Sequence, residues 1–207
     1  NILSASFVGS FVDNANLKKI NDIDLIIVLK KLNQKSFNSI KGQIYNLNLS
    51  KFFPKKKIFI STPFCKAAVD RLIKFRVPAF KIGSGECNNY PLIEHISKKQ
   101  KPIILSTGMN DISSIAKSVS IIEKYKCPLI LLHCTSMYPT PYDKVRLGAI
   151  TDLRNNFKNI SIGLSDHSIG IATCLGAVAL GASVLEKHFT VSRKWPGPDV
   201  PISIEPD

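Results

Sequence analysis

From residue 58 onward the chain alternates between two kinds of stretch. Short runs dominated by Ile, Leu, Val and Phe end in small polar residues, and each is followed by a longer amphipathic stretch. The runs cover residues 58–62, 79–84, 102–107, 129–134, 160–166 and 183–189, and their starts lie 21 to 31 residues apart. Runs this apolar suit strands covered on both faces. The stretches between them carry helical spacing. In the clearest, Ile112, Ile115, Ala116, Val119 and Ile122 share one predicted face, with Asp111 placed as the N-terminal cap. A second helix is predicted over 169–180, where Ala and Gly allow close packing on a sheet. Six consecutive strand–helix units predict an α/β domain built on a parallel sheet.

Two arrangements of such units compete, a (β/α)8 TIM barrel and an open doubly wound sheet. Both gather their chemistry at the carboxyl ends of the strands. No Gly-x-Gly-x-x-Gly opens a unit, which weakens the dinucleotide-binding version. A barrel needs two more strands, which residues 1–57 must supply. That segment holds apolar runs over 2–11 and 23–29 and then a polar stretch rich in Asn, Lys and Ser. It is set apart from 58–207 as an unmatched N-terminal segment that either supplies or replaces the first two barrel strands or leaves the barrel incomplete there.

Composition narrows the function classes. A chain of 207 residues with 44% hydrophobic positions fits one domain with a sizeable core. It begins at Asn1 rather than Met, and reads as a fragment. The formal net charge is +13, and residues 1–60 carry 10 Lys against 3 acidic residues, notably Lys55, Lys56 and Lys57. The positive charges are scattered, with no basic helix or aromatic-interleaved patch, so a nucleic-acid partner is not expected. A small anionic substrate accounts for the excess as well. Five widely spaced cysteines without a Cys-x-x-Cys pair point to free thiols in a reducing cytoplasm. No signal peptide is evident, and no apolar run approaches the ~20 residues of a membrane span.

Candidate chemistry collects at one end of every run. Ser61 and Thr62 close the first; Lys81, Ser84 and Glu86 the second; Ser106, Thr107 and Gly108 the third. His133, Cys134 and Thr135 close the fourth and lead to Tyr138. Ser165, Asp166 and His167 close the fifth; Glu186, His188 and Thr190 lie on or beside the sixth, with Asp199 in a Pro/Gly loop beyond. Any one Ser or Thr taken alone is an ordinary cap or turn residue. Repeated at six strand ends, the hydroxyls and one Lys suit a phosphate or carboxylate ligand. Lys81 inside a buried strand demands an anionic partner. His167 and His188 end successive strands, which lie ~4.8 Å apart. They can share one divalent cation of the Mn2+ type, or be hydrogen-bonded core histidines, and spacing alone leaves both open. His133 reads as a core residue and His95 as a structural or surface one. Glu86 and Asp199 can bind sugar hydroxyls or move protons, or simply stabilise their turns.

These residues fall in an ordered series of motifs: Ile60-Ser-Thr-Pro-Phe64, Phe80-Lys-Ile-Gly-Ser-Gly-Glu-Cys-Asn-Asn-Tyr90, Lys101-Pro-Ile-Ile-Leu-Ser-Thr-Gly-Met109, Leu132-His-Cys-Thr135, Tyr138-Pro-Thr-Pro141, Gly163-Leu-Ser-Asp-His167, Leu185-Glu-Lys-His-Phe-Thr190 and Gly197-Pro-Asp199. Together they resemble the bacterial N-acetylneuraminate (sialic acid) synthase family over residues 58–207. The resemblance implies a (β/α)8 TIM barrel, Mn2+ or another divalent cation such as Mg2+, and two substrates, phosphoenolpyruvate and an N-acetylated mannose-type sugar. It also implies a cytoplasmic homodimer. By position, His167 and His188 match the metal ligands. Thr62, Lys81, Ser84, Ser106 and Ser165 match the residues holding phosphoenolpyruvate. Glu86, Tyr138 and Asp199 match catalytic residues around the sugar and the reacting centre. Glu186, beside His188, is read as supporting that ligand. The segment Gly85-Glu-Cys-Asn-Asn-Tyr90 is similar to members that make N-acetylneuraminic acid itself; a legionaminate or pseudaminate precursor is the alternative. Two family features are not found in residues 1–57: the first-strand glutamate of a Glu-Ile-Gly-x-Asn-His-type segment, and a Lys-x-Gln on the second strand. The family's C-terminal antifreeze-like domain is not found either. These departures raise the further expectation of a catalytically impaired barrel that only binds ligand.

Overall fold

The computed structural model describes residues 2–9, 23–29, 58–190 and 192–205. Its strands are β1 (Ile2–Gly9), β2 (Ile23–Leu29), β3 (Ile58–Ser61), β4 (Phe80–Ile82), β5 (Ile103–Ser106), β6 (Leu129–Cys134), β7 (Ser161–Asp166) and β8 (Val184–Phe189). Among the described residues the α-helices are α1 (Lys66–Lys74), α2 (Tyr90–Ser97), α3 (Ile112–Lys124), α4 (Ala149–Asn156) and α5 (Ala172–Ala179). Strands β3 to β8 pair in sequence order and are all parallel, with one helix between each successive pair. They form a curled arc, so the α/β class expected from the six repeated units is what the chain adopts.

The two apolar runs of the N-terminal segment are strands. β1 lies parallel beside β3, but β2 runs antiparallel to both β1 and β8. The strand order is therefore β1-β2-β8-β7-β6-β5-β4-β3. This corrects the expectation of eight parallel strands. A regular (β/α)8 unit needs a helical crossover to return each strand in the same direction, and β2 does not enter in that direction.

Side chains alternate across each strand, which divides the core in two. The outer faces of β4 to β8 pack against the helices in the larger cluster, which includes Phe80, Ile82, Ile103, Leu105, Leu131 and Leu164. The inner faces carry a smaller cluster of Ile60, Ile104, Leu132 and Val184. This double coverage is why the strands read as unbroken apolar runs. Along α3 the buried positions are Ile115, Ser118, Val119 and Ile122, while Ile112 and Ala116 are exposed, a narrower stripe than the spacing predicts. Ser118 is accommodated because its hydroxyl donates to the Cys87 carbonyl. Asp111 caps this helix as expected, accepting from the Ser114 N–H at 2.7 Å. The predicted helix over 169–180 is shorter, Ala172–Ala179. Gly181 follows it with φ +89°, and a side chain there would strike the Arg154 guanidinium, which donates to the Leu180 carbonyl. No helix among the described residues is long and apolar enough to cross a membrane.

Candidate active site

Above the apolar inner layer, toward the carboxyl ends of the strands, the inner face becomes polar. Lys81, the middle residue of β4, is 4% exposed, and Glu186 on β8 is 5% exposed. Their charges meet across the sheet, Nζ to Oε1, at 3.3 Å. Lys81 also donates to Ser106 Oγ at 2.8 Å and to the Ile82 carbonyl at 3.3 Å. Ser165, the ladder partner of Glu186, donates to Glu186 Oε1 at 2.6 Å. Four residues from β4, β5, β7 and β8 thus form one buried network. The anionic partner that a buried lysine requires is Glu186. The second carboxylate oxygen, Oε2, is buried and has no hydrogen-bond partner among the described residues. An acceptor left in that state is costly unless a donor completes it, so the network suits a site finished by something that binds there.

Two residues further along β7 and β8 on the same face stand His167 and His188. Their ring centroids are 5.2 Å apart with planes at 53°. His167 Nδ1 lies 3.1 Å from the Thr135 carbonyl. A carbonyl can only accept, so that nitrogen carries the proton and Nε2 carries the lone pair. Burial holds the His167 pKa down to about 4, with the neighbouring His188 ring the second cause. His167 is therefore neutral at pH 7, the state a metal ligand needs. Tyr138 covers both rings, 4.1 Å from His167 and 5.8 Å edge-on from His188. Among the described residues no cluster of three or more His, Cys, Asp and Glu side chains is arranged to hold a metal ion. A cation between these rings would have two protein ligands and would take the others from water or substrate.

Cys134 lies beside the histidines. Its thiol lies 3.8 Å from His167 Nδ1 and 3.9 Å from Ser136 Oγ, and burial pushes its pKa up. Strand alternation carries the signal for this: if His133 points outward, Cys134 must point inward. His133 does so, buried on the helix side with Nε2 2.6 Å from the Val145 carbonyl. His95 lies near the surface, 3.0 Å from Asp70.

The remaining predicted residues lie on the segments that follow the strand ends. Ser84 Oγ accepts from the Gly108 N–H at 3.0 Å, and Asn110 donates to the Ser84 carbonyl at 3.0 Å. Gly108 allows this approach, since a Cβ there would lie 2.7 Å from Ser136 Oγ and 2.8 Å from Ser84 Oγ. Thr62 follows β3 and faces Gly83, the residue before Ser84. Glu86 accepts from Asn89 Nδ2 at 2.6 Å and sits on the 3-10 turn Ser84–Glu86, half-buried. Asp199 precedes the 3-10 turn Val200–Ile202, and the Ile204 N–H just beyond bonds the His188 carbonyl at 2.9 Å. That stitches the last described segment to the end of β8. A cavity of about 710 Å3 opens beside this centre rather than within it. It runs from Gly108 and Cys134 outward between α3 and α4, and Lys144 and Arg146 line it.

Residues 45–207 match the NeuB family. An uncharacterised protein of Methanocaldococcus jannaschii is 51% identical over 151 residues, covering 72% of this chain and 44% of that protein. The N,N'-diacetyllegionaminic acid synthase of Campylobacter jejuni is 44% identical over 151 residues, covering 72% of this chain and 45% of that protein. The crystal structure of N-acetylneuraminic acid (sialic acid) synthetase from Leptospira borgpetersenii, in complex with citrate, superposes with a TM-score of 0.70 at 38% identity, covering 85% of this chain and 59% of that one. The chain spans less than half the length of the curated relatives it matches.

Proposed function

Because the chain belongs to the NeuB family, we propose that residues 58–207 carry the reaction centre of a nonulosonic acid synthase, built on the six parallel strands β3 to β8. The reaction condenses phosphoenolpyruvate with open-chain N-acetylmannosamine and water, giving N-acetylneuraminic acid and phosphate. The observation that carries this reading is the juxtaposition, on one face of β7 and β8, of two imidazoles 5.2 Å apart and a buried Lys–Glu–Ser network one step below them.

His167 and His188 would hold a divalent cation, Mn2+ or Mg2+, which supplies Lewis acidity toward the sugar aldehyde oxygen. The donor set fits: one neutral ring has its lone pair fixed on Nε2, and a second lies beside it. Lys81 with Thr62, Ser84, Ser106 and Ser165 grips the phosphate and carboxylate of phosphoenolpyruvate, the ammonium supplying charge and the hydroxyls direction. C3 of phosphoenolpyruvate bonds to the aldehyde carbon, whose oxygen gains a proton. Water adds to the cationic C2 and gives up one proton, matching the one taken up by the aldehyde oxygen. The new C2 hydroxyl then loses its proton to become the ketone as phosphate departs with its bridging oxygen and that proton. Holding both substrates at contact distance supplies much of the rate. Glu86, Tyr138 and Asp199 surround the sugar and its mobile protons, and Tyr138 excludes water from the histidines. On this reading the enzyme works in the cytoplasm on small molecules, without nucleic acid or membrane, and the homodimer belongs to the full-length family members.

Two observations favour variants of this reading. The identity to legionaminic and pseudaminic acid synthases makes a legionaminate or pseudaminate precursor the alternative acceptor. The absence of any carboxylate from β1, Ile2–Gly9, favours a chain that binds substrates but turns over slowly. One experiment addresses all three. The purified chain is incubated with Mn2+, phosphoenolpyruvate and a panel of acetamido sugars, and both phosphate release and thermal stabilisation are followed. Sugar-dependent phosphate release that disappears in His188→Ala supports the synthase, and the preferred sugar names the acceptor. Stabilisation by phosphoenolpyruvate without turnover supports the binding-only form. Neither effect, with any sugar, sinks the proposal.

A further inference from the structure

A second buried ion pair stands back to back with the two histidines. Asp166 ends β7, Lys187 lies in β8, and the two are the last register pair of the ladder between these strands. Nζ and Oδ2 are 2.8 Å apart, and the side chains are 5% exposed for Lys187 and 1% for Asp166. Consecutive strand residues face opposite sides. The pair therefore lies on the helix-facing side, while the residue after each partner, His167 or His188, lies on the inner side.

The carboxylate is fully engaged. Besides Lys187 it accepts from the Ser168 N–H at 3.1 Å, Ser168 Oγ at 3.0 Å and Cys174 Sγ at 3.5 Å. Lys187 also donates to the Ser168 carbonyl. Ser168 Oγ in turn lies 2.7 Å from Thr173 Oγ1 in the first turn of α5. One point thus ties together the end of β7, the turn that carries His167, the start of α5 and the strand that carries His188. The His167 backbone is held from the other side by the Thr140 N–H, which donates to its carbonyl at 3.0 Å. A well-packed apolar pair would stabilise the fold as well as a buried ion pair does. What charges add here is direction, at the rung where the ladder stops and the two rings begin.

We propose that the Asp166–Lys187 pair is a positioning device that sets the spacing and orientation of the His167 and His188 rings, and so the affinity of the site for a divalent cation. This rests on the reading that the two histidines share a metal. Groups that orient metal ligands from behind typically change metal affinity about 10- to 100-fold when removed, and that is the effect expected here.

The test compares the wild-type chain, His167→Ala, and the double variant Asp166→Leu/Lys187→Met, which removes both charges and leaves none buried alone. Mn2+ affinity is read from the EPR signal of the free ion. Thermal unfolding and amide exchange are read on the metal-free proteins. The expected result is a double variant that unfolds cooperatively near the wild-type temperature, binds Mn2+ about 10- to 100-fold more weakly, and exchanges amides 167–169 faster. Wild-type Mn2+ affinity in the folded double variant overturns the proposal. If that variant does not fold, Asp166→Asn/Lys187→Gln, which removes both charges but keeps hydrogen-bonding groups, is read in the same way. Failure of both to fold makes the pair a requirement of the fold, not of the site, and also overturns it. Wild-type protein that binds no Mn2+, or binds it equally well as His167→Ala, sinks the metal reading by itself. The amide exchange of 167–169 then decides the positioning claim, and unchanged protection refutes it.

Discussion

Replacing Lys81 with Met tests the buried network most directly. Lys81 and Glu186 are 4% and 5% exposed, and their charges are 3.3 Å apart. At an effective dielectric constant of about 20 that separation corresponds to about 5 kcal/mol of attraction. Lys81→Met removes it, leaves the Glu186 charge uncompensated, and deprives Ser106 of its donor. Breaking one side of a buried pair typically costs about 3–5 kcal/mol. With a urea dependence of about 2 kcal/mol/M for a domain this size, the unfolding midpoint falls by roughly 1.5–2.5 M. The assay is equilibrium urea unfolding at pH 7 followed by far-UV circular dichroism. Adding Glu186→Gln to Lys81→Met removes the orphan charge while keeping an acceptor for Ser165, so the double variant recovers most of the loss. A single variant within about 0.5 M of wild type, or a double variant no more stable than the single, refutes the reasoning. If Lys81→Met is unfolded in water, the double variant must still fold.

Gly163 on β7 lies against Leu132 Cδ2, 2.6 Å from where a Cβ would sit, and against the Val184 carbonyl. Gly163→Ala is expected to cost about 3 kcal/mol by overpacking and to lower the unfolding temperature by about 6–12 °C. Gly85→Ala, with open space around its Cβ, is the silent control. Of the five thiols, Cys65 is exposed and the other four are buried; burial pushes Cys87 up to about 11. At pH 8 only about 0.1% of Cys87 is then thiolate, and one thiol per native chain should react rapidly with a disulfide reagent; two or more fast thiols contradict the packing. The Asp111 carboxyl is held below its ordinary range first by the Ser114 backbone N–H. A depressed carboxyl stabilises the fold above its unfolded pKa, and that contribution is lost as pH falls through the folded value. Asp111→Ala should therefore unfold at a lower temperature than wild type at pH 7, and the gap should close below about pH 4; a gap independent of pH refutes the cap.

Several features were legible along the chain because they depend on neighbours in sequence. The span of β6 follows directly from its apolar run, and β3, β4, β5, β7 and β8 fall within their predicted runs, trimmed at one or both ends. The α3 stripe was only half legible. Ile112 sits at the first helical position and is exposed, and Ser118, outside the predicted face, is buried by donating to a carbonyl on a different segment. The direction of β2 was not legible at all, because an apolar run carries no mark of which way it enters a sheet.

The sequence alone determined the repeated strand–helix units, the polar residues waiting at the strand ends, and the requirement that Lys81 meet an anion. These follow from side-chain period, turn chemistry and the cost of a buried charge, all local quantities. Only the tertiary structure decided that the anion is Glu186, that Cys134 lies against His167, and that Asp166 and Lys187 lock together behind the histidines. Those pairings depend on strand register between segments distant in the chain. A shift of one residue would send each of these side chains to the opposite face.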